Sequence, residues 1–526
     1  SGRDSNMRSK LANLLYKMGN YDKCERVLMD PIDKDKNPND LGVMHTHVQY
    51  YMLLAKVHHE KGQFEKVNED LQEAKRIQVK IIARSDGSVA LLMKKECSKI
   101  CCQIAEMYHL RRDANREIDA FKEAINYNET DIKTHLALAQ AYLTAGRHEL
   151  CSKECLAISA MDKNNIEAIL MAADIMYSKN QLTDAMVRFD KVLDQLPSNY
   201  HALSCFIELS WREGSVQNAD MRIRNANMHK PKSFLDAGFN YCNGIHEWYS
   251  GNMAMALQFF NRAKKDLEWG EKSIYCMVEL LLNPENDILG VTSDENNGEE
   301  TTNAAQAAKY LNELRADNSI DSKYALHETM IMMATGEKSK IQEALDRFLA
   351  MATEKENTNS QEKVKNVGAV LGAARAFVTL KQTPKAKQLL KKVMETPWSL
   401  ADAENLEMCW LLLAEIYTNQ NKADQAKALI LKVLHMNKSS IKAFELMGFI
   451  FEKDSKWLDA VNNYTQAWIY CRQRNPTIGY KLAYNMLKAK KNFDCIVVCQ
   501  KVLTQYPNYP KIRKELMEKA RMSIRT

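Results

Sequence analysis

Apolar residues recur along this chain at three- and four-residue steps with polar residues between them, the pattern of helices that bury one face. The clearest stretch begins at Glu117. Glu117, Cys151, Ala185 and Ala219 stand 34 residues apart. Four residues after each comes a larger residue: Phe121, Cys155, Phe189 and Ile223. Three further on are Ala124, Ile158, Val192 and Ala226, and on the helix between, Ala139 and Tyr142 match Ala173 and Met176. A small residue lets two helices approach, and the large ones fill the groove between them. One such helix–turn–helix unit cannot bury its own apolar face, so neighbours must stack.

The period and the small/large marks resemble the tetratricopeptide repeat and predict an all-α, right-handed α-solenoid. Similar units are readable from Leu11 to Leu28, from Leu54 to Ala74 and from Ile104 to Ala124, with an irregular piece over 75–97 broken at Ser85-Asp86-Gly87-Ser88. Pro197 and Pro231 close two units of the regular run, because proline cannot continue a helix. Another unit holds Gly244, Ala256 and Phe260, and a helix at 271–282 stops at Asn283-Pro284. Further units follow at 325–351, 369–394, 408–434, 442–467 and 479–507. The expected organisation is a first block of repeats over 1–283, an acidic flexible insertion over 284–303, a second block over 304–509, and a capping helix with a basic tail over 510–526.

Composition fits a helical array. Glycine (18) and proline (10) are scarce for 526 residues, and both are poor helix formers. A net charge of +6 over this length is mild and does not point to nucleic acid. No run of eighteen apolar residues is present, so no membrane-inserted helix is expected. The 13 cysteines are scattered without a C-x-x-C, as for reduced thiols. The chain opens on Ser-Gly-Arg and its first repeat starts almost at once, as expected of a piece of a longer protein.

Catalytic and cofactor motifs fail on inspection. Gly336-Glu337-Lys338-Ser339 lacks the glycine spacing of a phosphate loop and reads as a turn. Asp33-x-Asp35-x-Asn37 has Pro38 where a calcium loop needs glycine and Met44 at the bidentate position. Cys151 and Cys155, like Cys495 and Cys499, occupy packing positions, where thiols act as small hydrophobes rather than metal ligands. No cofactor and no metal are expected, and the reading is non-enzymatic.

The surface with chemistry to offer is the concave one, lined by the first helix of each unit. Counting from the Ala139-type position places Tyr177, Trp211, Trp248, Phe449 and Tyr484 there, with Tyr241 and Tyr480 on the same helices. Aromatics beside carboxylates suit an extended or helical partner segment. The plainer alternative is that Trp211 and Trp248 wedge between neighbouring first helices. Gln140, Asp174 and Glu208 stand where chaperone-binding repeats carry the cations and amides that hold a C-terminal carboxylate, and would repel one. The basic tail, with Lys511, Arg513 and Lys514, offers contacts to an acidic partner segment or is simply a solvated face.

Longer stretches are more specific than the repeat. The run GFNYCNGIHEWYSGNMAMALQFFNRAKKDLEWGEKSIYCMVELLLNPEND (238–287) resembles the large tetratricopeptide-repeat subunit of intraflagellar transport complex A, the tetratricopeptide repeat protein 21 family. So do LKQTPKAKQLLKKV (380–393), CWLLLAEIY (409–417), NPTIGYKLAYNMLKAKKNFDCIVVCQKVL (475–503) and YPNYPKIRKELMEKARMSIR (506–525), the last similar to that family's C-terminus. The resemblance implies the C-terminal part of a scaffold subunit that supports retrograde transport and cargo trafficking in cilia. It implies partners within the complex: subunits built of WD40 and helical parts, and a small disordered subunit. It also implies residence at the ciliary axoneme and basal body and in the cytoplasm. The alternative from another class is a stand-alone peptide-binding adaptor, of the chaperone or ubiquitin-ligase-arm type.

Overall fold

The computed structural model describes residues 2–35, 38–282, 299–314, 322–354, 363–364, 366–509 and 511–525. Within them the chain is a succession of antiparallel helix pairs, the all-α repeat array that the spacing predicts. A two-residue ladder, Thr353–Glu354 against Lys363–Val364, is the strand pairing among the described residues. Helices Gly270–Leu282 and Ser322–Ala334 fall where the periodicity puts them. Of the expected acidic insertion, 284–298 lies outside the described residues, as does the Asn283-Pro284 exit. Residues 299–303 open the helix Glu299–Leu314.

The reason for helix pairs at this period is visible in the packing. Ala139, Ala173, Ala185, Phe189, Cys151 and Ile158 are all fully or nearly fully buried. Where the first-helix mark is glycine the fit is tighter. A Cβ on Gly244 would stand 2.6 Å from the Phe260 ring, so only glycine admits that ring. The paired cysteines sit in the same positions: Cys151, Cys495 and Cys499 have no exposure and Cys155 has 3%.

Among the described residues, each reversal within a pair turns on one left-handed residue. Gly146 (φ 70°) and Gly214 (φ 77°) fill that place, and Arg112 (φ 58°) and Asn180 (φ 62°) fill it 34 residues earlier in each case. Next to Gly146, the Arg147 amide donates to the Tyr142 carbonyl at 2.8 Å. Next to Arg112, the Asp113 amide donates to the Tyr108 carbonyl at 3.1 Å. These bonds satisfy carbonyls that the helix end leaves open.

The chain divides into two compact units, Ser1–Ile175 and Met176–Thr526. In the first, the piece expected to be irregular over 75–97 is instead two long helices, Phe64–Ala83 and Gly87–Leu110, broken for three residues. Ile77, Gln78 and Ile81 continue the buried stripe past the usual repeat length, so the helix continues with them. This unit also buries a polar bridge. His58 Nδ1 lies 2.6 Å from Asp70 and its Nε2 lies 3.4 Å from Glu25. Burial pushes the Asp70 carboxyl up to about 6 against the opposing pull of His58.

The second unit runs from Met176 to a terminal cap. The expected capping helix takes the form of a π-type turn, Ile512–Met517, leading into the helix Glu518–Arg525. Its Ile512, Leu516, Met517 and Ala520 are buried on the last repeat.

Candidate partner-binding surface

In the second unit, first helices that are far apart in sequence meet. The helix Tyr200–Arg212 ends with Arg212 buried at 3% exposure. Its guanidinium donates to Glu407 at 2.6 Å and lies over the Trp398 ring at 5.9 Å. Glu407 is itself 5% exposed and also accepts from Asn437 at 3.2 Å. The pair is therefore a desolvated ion pair with further hydrogen bonds, the arrangement in which losing one partner is costly.

Backbone joins the same contact. The Lys438 amide donates to the Arg212 carbonyl at 2.8 Å, and the Ser439 hydroxyl donates to the Trp211 carbonyl at 2.5 Å. The Asn180 side chain donates to the Trp398 carbonyl at 3.2 Å and accepts from the Leu400 amide at 3.0 Å. On the next first helix, His246 Nε2 lies 2.7 Å from Asp220 and 3.1 Å from Arg472. Arg472 reaches both oxygens of Asp220 at 2.9 and 3.0 Å, and Arg474 pairs with Glu247 at 3.2 Å. The stretch 180–247 is thus clasped to 398–474 inside one unit.

Electrostatics follow from this closure. Burial, with the Arg472 cation beside it, holds the His246 imidazole below its ordinary range, although Asp220 pulls the other way. Glu404 reaches water from within the closed face, where surrounding protein and the Glu279 and Glu208 carboxylates push it up to about 7. Burial raises the Tyr249 phenol far above its usual value, and its hydroxyl donates to Glu404 at 3.4 Å.

The aromatic residues expected on a concave groove divide accordingly. Trp211 is 9% exposed, stacks on Tyr249 at 5.3 Å and meets the edge of Tyr470 at 6.5 Å. Its face is spent inside the chain, across the clasp rather than in an open groove. Tyr177 donates to Glu208 and packs edge-on to Phe189 at 6.1 Å. Tyr241 packs on Trp269 at 5.0 Å and on Phe260 at 5.8 Å. Trp248 is half-buried between Tyr249 and Phe260, at 6.4 and 6.3 Å.

Toward the end of the chain the aromatics are also half-buried, and two lie under lysines. Lys453 stands over Phe449 at 5.0 Å and Lys488 over Tyr484 at 5.5 Å. Tyr480 donates to Glu515 at 3.2 Å, with its ring 6.4 Å from Tyr509. Lys511, Arg513 and Lys514 are exposed. The clasp residues Arg212, Asp220, His246, Glu407 and Arg472 were not singled out by periodicity. Their one trace in the sequence is Arg212 closing a first helix rich in apolar residues.

Stacked helix pairs with small residues at the crossings and left-handed turns define a tetratricopeptide-like α-solenoid, a protein of the helical-repeat class. The solved APC/C hetero-tetramer Cut9–Hcn1 shares this fold, with a TM-score of 0.52 at 12% identity over 98% of this chain and 89% of that one. The chain belongs to the tetratricopeptide repeat protein 21 family. Three of that family's models match in succession: the fourth ARM domain over 1–125, the fifth ARM repeats domain over 166–282 and the C-terminal ARM domain over 306–521. The tetratricopeptide repeat protein 21 homolog of Caenorhabditis elegans is 38% identical over all of this chain. Human tetratricopeptide repeat proteins 21A and 21B are 37% and 35% identical over 98% and 100% of it. The chain spans about 40% of the length of these relatives.

Proposed function

We propose that the chain is a non-enzymatic scaffold subunit of intraflagellar transport complex A, supporting retrograde transport and cargo trafficking in cilia by binding other subunits. Family membership along the whole chain carries this reading. The architecture supports it. Repeat arrays offer long surfaces to protein partners, and the clasp makes the second unit a stable frame for them. The half-exposed Trp248, Phe449, Tyr480 and Tyr484 are the side chains to which partners are assigned, aromatic anchors beside polar groups. The partners under this reading are the WD40-plus-helical subunits and the small disordered subunit, and the place is the cilium.

The test is size-exclusion chromatography with mass spectrometry on extracts of ciliated cells expressing the tagged chain. Co-elution with the other complex subunits is expected. A chain that elutes alone, or with chaperones or ubiquitin-ligase components, would replace this reading with that of a stand-alone adaptor. Trp248→Ala and Tyr484→Ala are expected to weaken capture of the other subunits while leaving the far-ultraviolet spectrum unchanged.

A further inference from the structure

Charge is concentrated at one end of the array. Residues 471–526 contain 13 Lys+Arg and three Asp+Glu, a local balance of +10 in a chain whose whole balance is +6. Some of these cations are used internally. Arg472 and Arg474 serve the clasp, Lys481 pairs with Glu445 at 2.5 Å, and Lys501 bonds Gln473 at 3.0 Å. Others are not. Lys511, Arg513, Lys514, Lys519 and Arg521 are exposed on the cap, and no described side chain pairs with them. Lys490 and Lys491, at the turn before the helix Asn492–Gln505, are likewise exposed and unpaired among the described residues. Of the three acids in this stretch, Glu515 is engaged by Tyr480.

A solenoid end needs a polar outer face, and mixed charges would supply one. A surface of one sign does more, because it raises the local concentration of oppositely charged partners. The rest of the cap narrows the kind of partner. Of its apolar residues, Ile512, Leu516, Met517 and Ala520 are buried against the last repeat, and Met522 and Ile524 are exposed. Two exposed apolar side chains fall short of the ridge with which an amphipathic helix enters a bilayer. The neighbouring Tyr480 and Tyr484 are half-buried, and Phe493 is the one exposed ring among the described residues of this stretch. Tyr480 is hydrogen-bonded and packed against Tyr509, and Tyr484 lies under Lys488. Single-stranded nucleic acid would need several free rings on which successive bases stack. Unpaired Lys and Arg with few exposed apolar or aromatic neighbours match carboxylates on a flexible polypeptide.

We infer that the basic end of the array, built on Lys511, Arg513, Lys514, Lys519 and Arg521, is a docking surface for an acidic polypeptide segment. This rests on the scaffold reading only in taking the partner to be a protein, and it is measured without the transport complex. A fluorescein-labelled oligoglutamate peptide is titrated with the full chain by anisotropy at low and physiological salt. Saturable binding that weakens with salt is expected. Lys511→Glu, Lys514→Glu and Arg521→Glu together should lower affinity at least about tenfold. The same three positions changed to Gln should give a smaller loss, which keeps the test alive if charge reversal disturbs folding. A control reversal of the exposed Lys80, Lys94 and Lys95 in the first unit should leave binding unchanged. An equal loss in the control would overturn the assignment to the cap, as would absence of peptide binding. Binding of phosphatidylserine vesicles or poly(A), with none of oligoglutamate, would overturn the partner class. Co-elution with transport subunits is scored separately, so either reading can fail alone.

Discussion

Arg212 donates to Glu407 at 2.6 Å across 195 residues of chain, with both side chains buried. In a repeat array each unit ordinarily touches only its neighbours. This pair is the centre of a contact between units that are not neighbours, and it sits beside the backbone bond from Lys438 to the Arg212 carbonyl. Removing one member leaves the other charged and unpaired. Arg212→Ala or Glu407→Ala is expected to destabilise the second unit by roughly 3–5 kcal/mol, and Arg212→Met with Glu407→Leu by much less. Urea denaturation measures the difference, and faster hydrogen exchange at the Lys438 amide in the single variants locates it.

His246 makes the clasp sensitive to acid. Its pKa in the folded chain is held below the ordinary 6.5 by burial and by Arg472. The unfolded chain therefore binds this proton more readily than the folded one. The contribution to stability is present above about 6.5 and is lost as pH falls through the lower folded value. Melting temperature should fall between pH 8 and pH 5, and His246→Gln should flatten that fall. A His246→Gln profile as steep as that of the parent chain would assign the acid sensitivity to another group.

Trp211 and Trp248 occupy equivalent first-helix positions but should respond differently to truncation. Trp211 fills a buried site against Tyr249 and Tyr470. Trp211→Ala is expected to cost about 3–5 kcal/mol of stability, the usual range for a buried large aromatic. Trp248 is half-buried, and Trp248→Ala should cost less stability while showing its main effect in partner capture. Thermal denaturation of the two variants side by side separates them.

Arg112 holds a left-handed turn that glycine holds at Gly146. Its side chain is exposed, so replacement removes the backbone strain without taking away core packing. Arg112→Gly is expected to raise the stability of the first unit by about 1 kcal/mol. A shift of the melting temperature upward by a few degrees would show it, whereas Gly146→Arg should shift it downward.

Much of the architecture was legible in the residues because its determinants are local. Helix pairs follow from apolar spacing. The register follows from small residues such as Ala139 and Ala185 recurring at a fixed spacing with large ones such as Phe121 and Phe189. The packing role of Cys151 and Cys155 follows from their place in that register, and both are buried as it requires. Where the pattern lengthens, as at Ile77 and Ile81, the repeat template misread two long helices as an irregular piece. The buried stripe is continuous there, but it is longer than the helix of a 34-residue repeat.

Sequence by itself determined the repeat period, the helix pairs, the residues buried between neighbours and the excess of cations near the end. All of these depend on residues within about one period of each other. Only the tertiary structure decided that 180–247 meets 398–474, and so that Trp211 is spent on Tyr249 and Tyr470 while Trp248 stays half-exposed. It also decided that Arg472 is paired with Asp220 while Lys511 and Arg521 are left without a carboxylate. The physical reason is that a small rotation accumulates from each repeat to the next. Which distant helices meet depends on the sum of those rotations, and no single repeat carries that sum in its own residues.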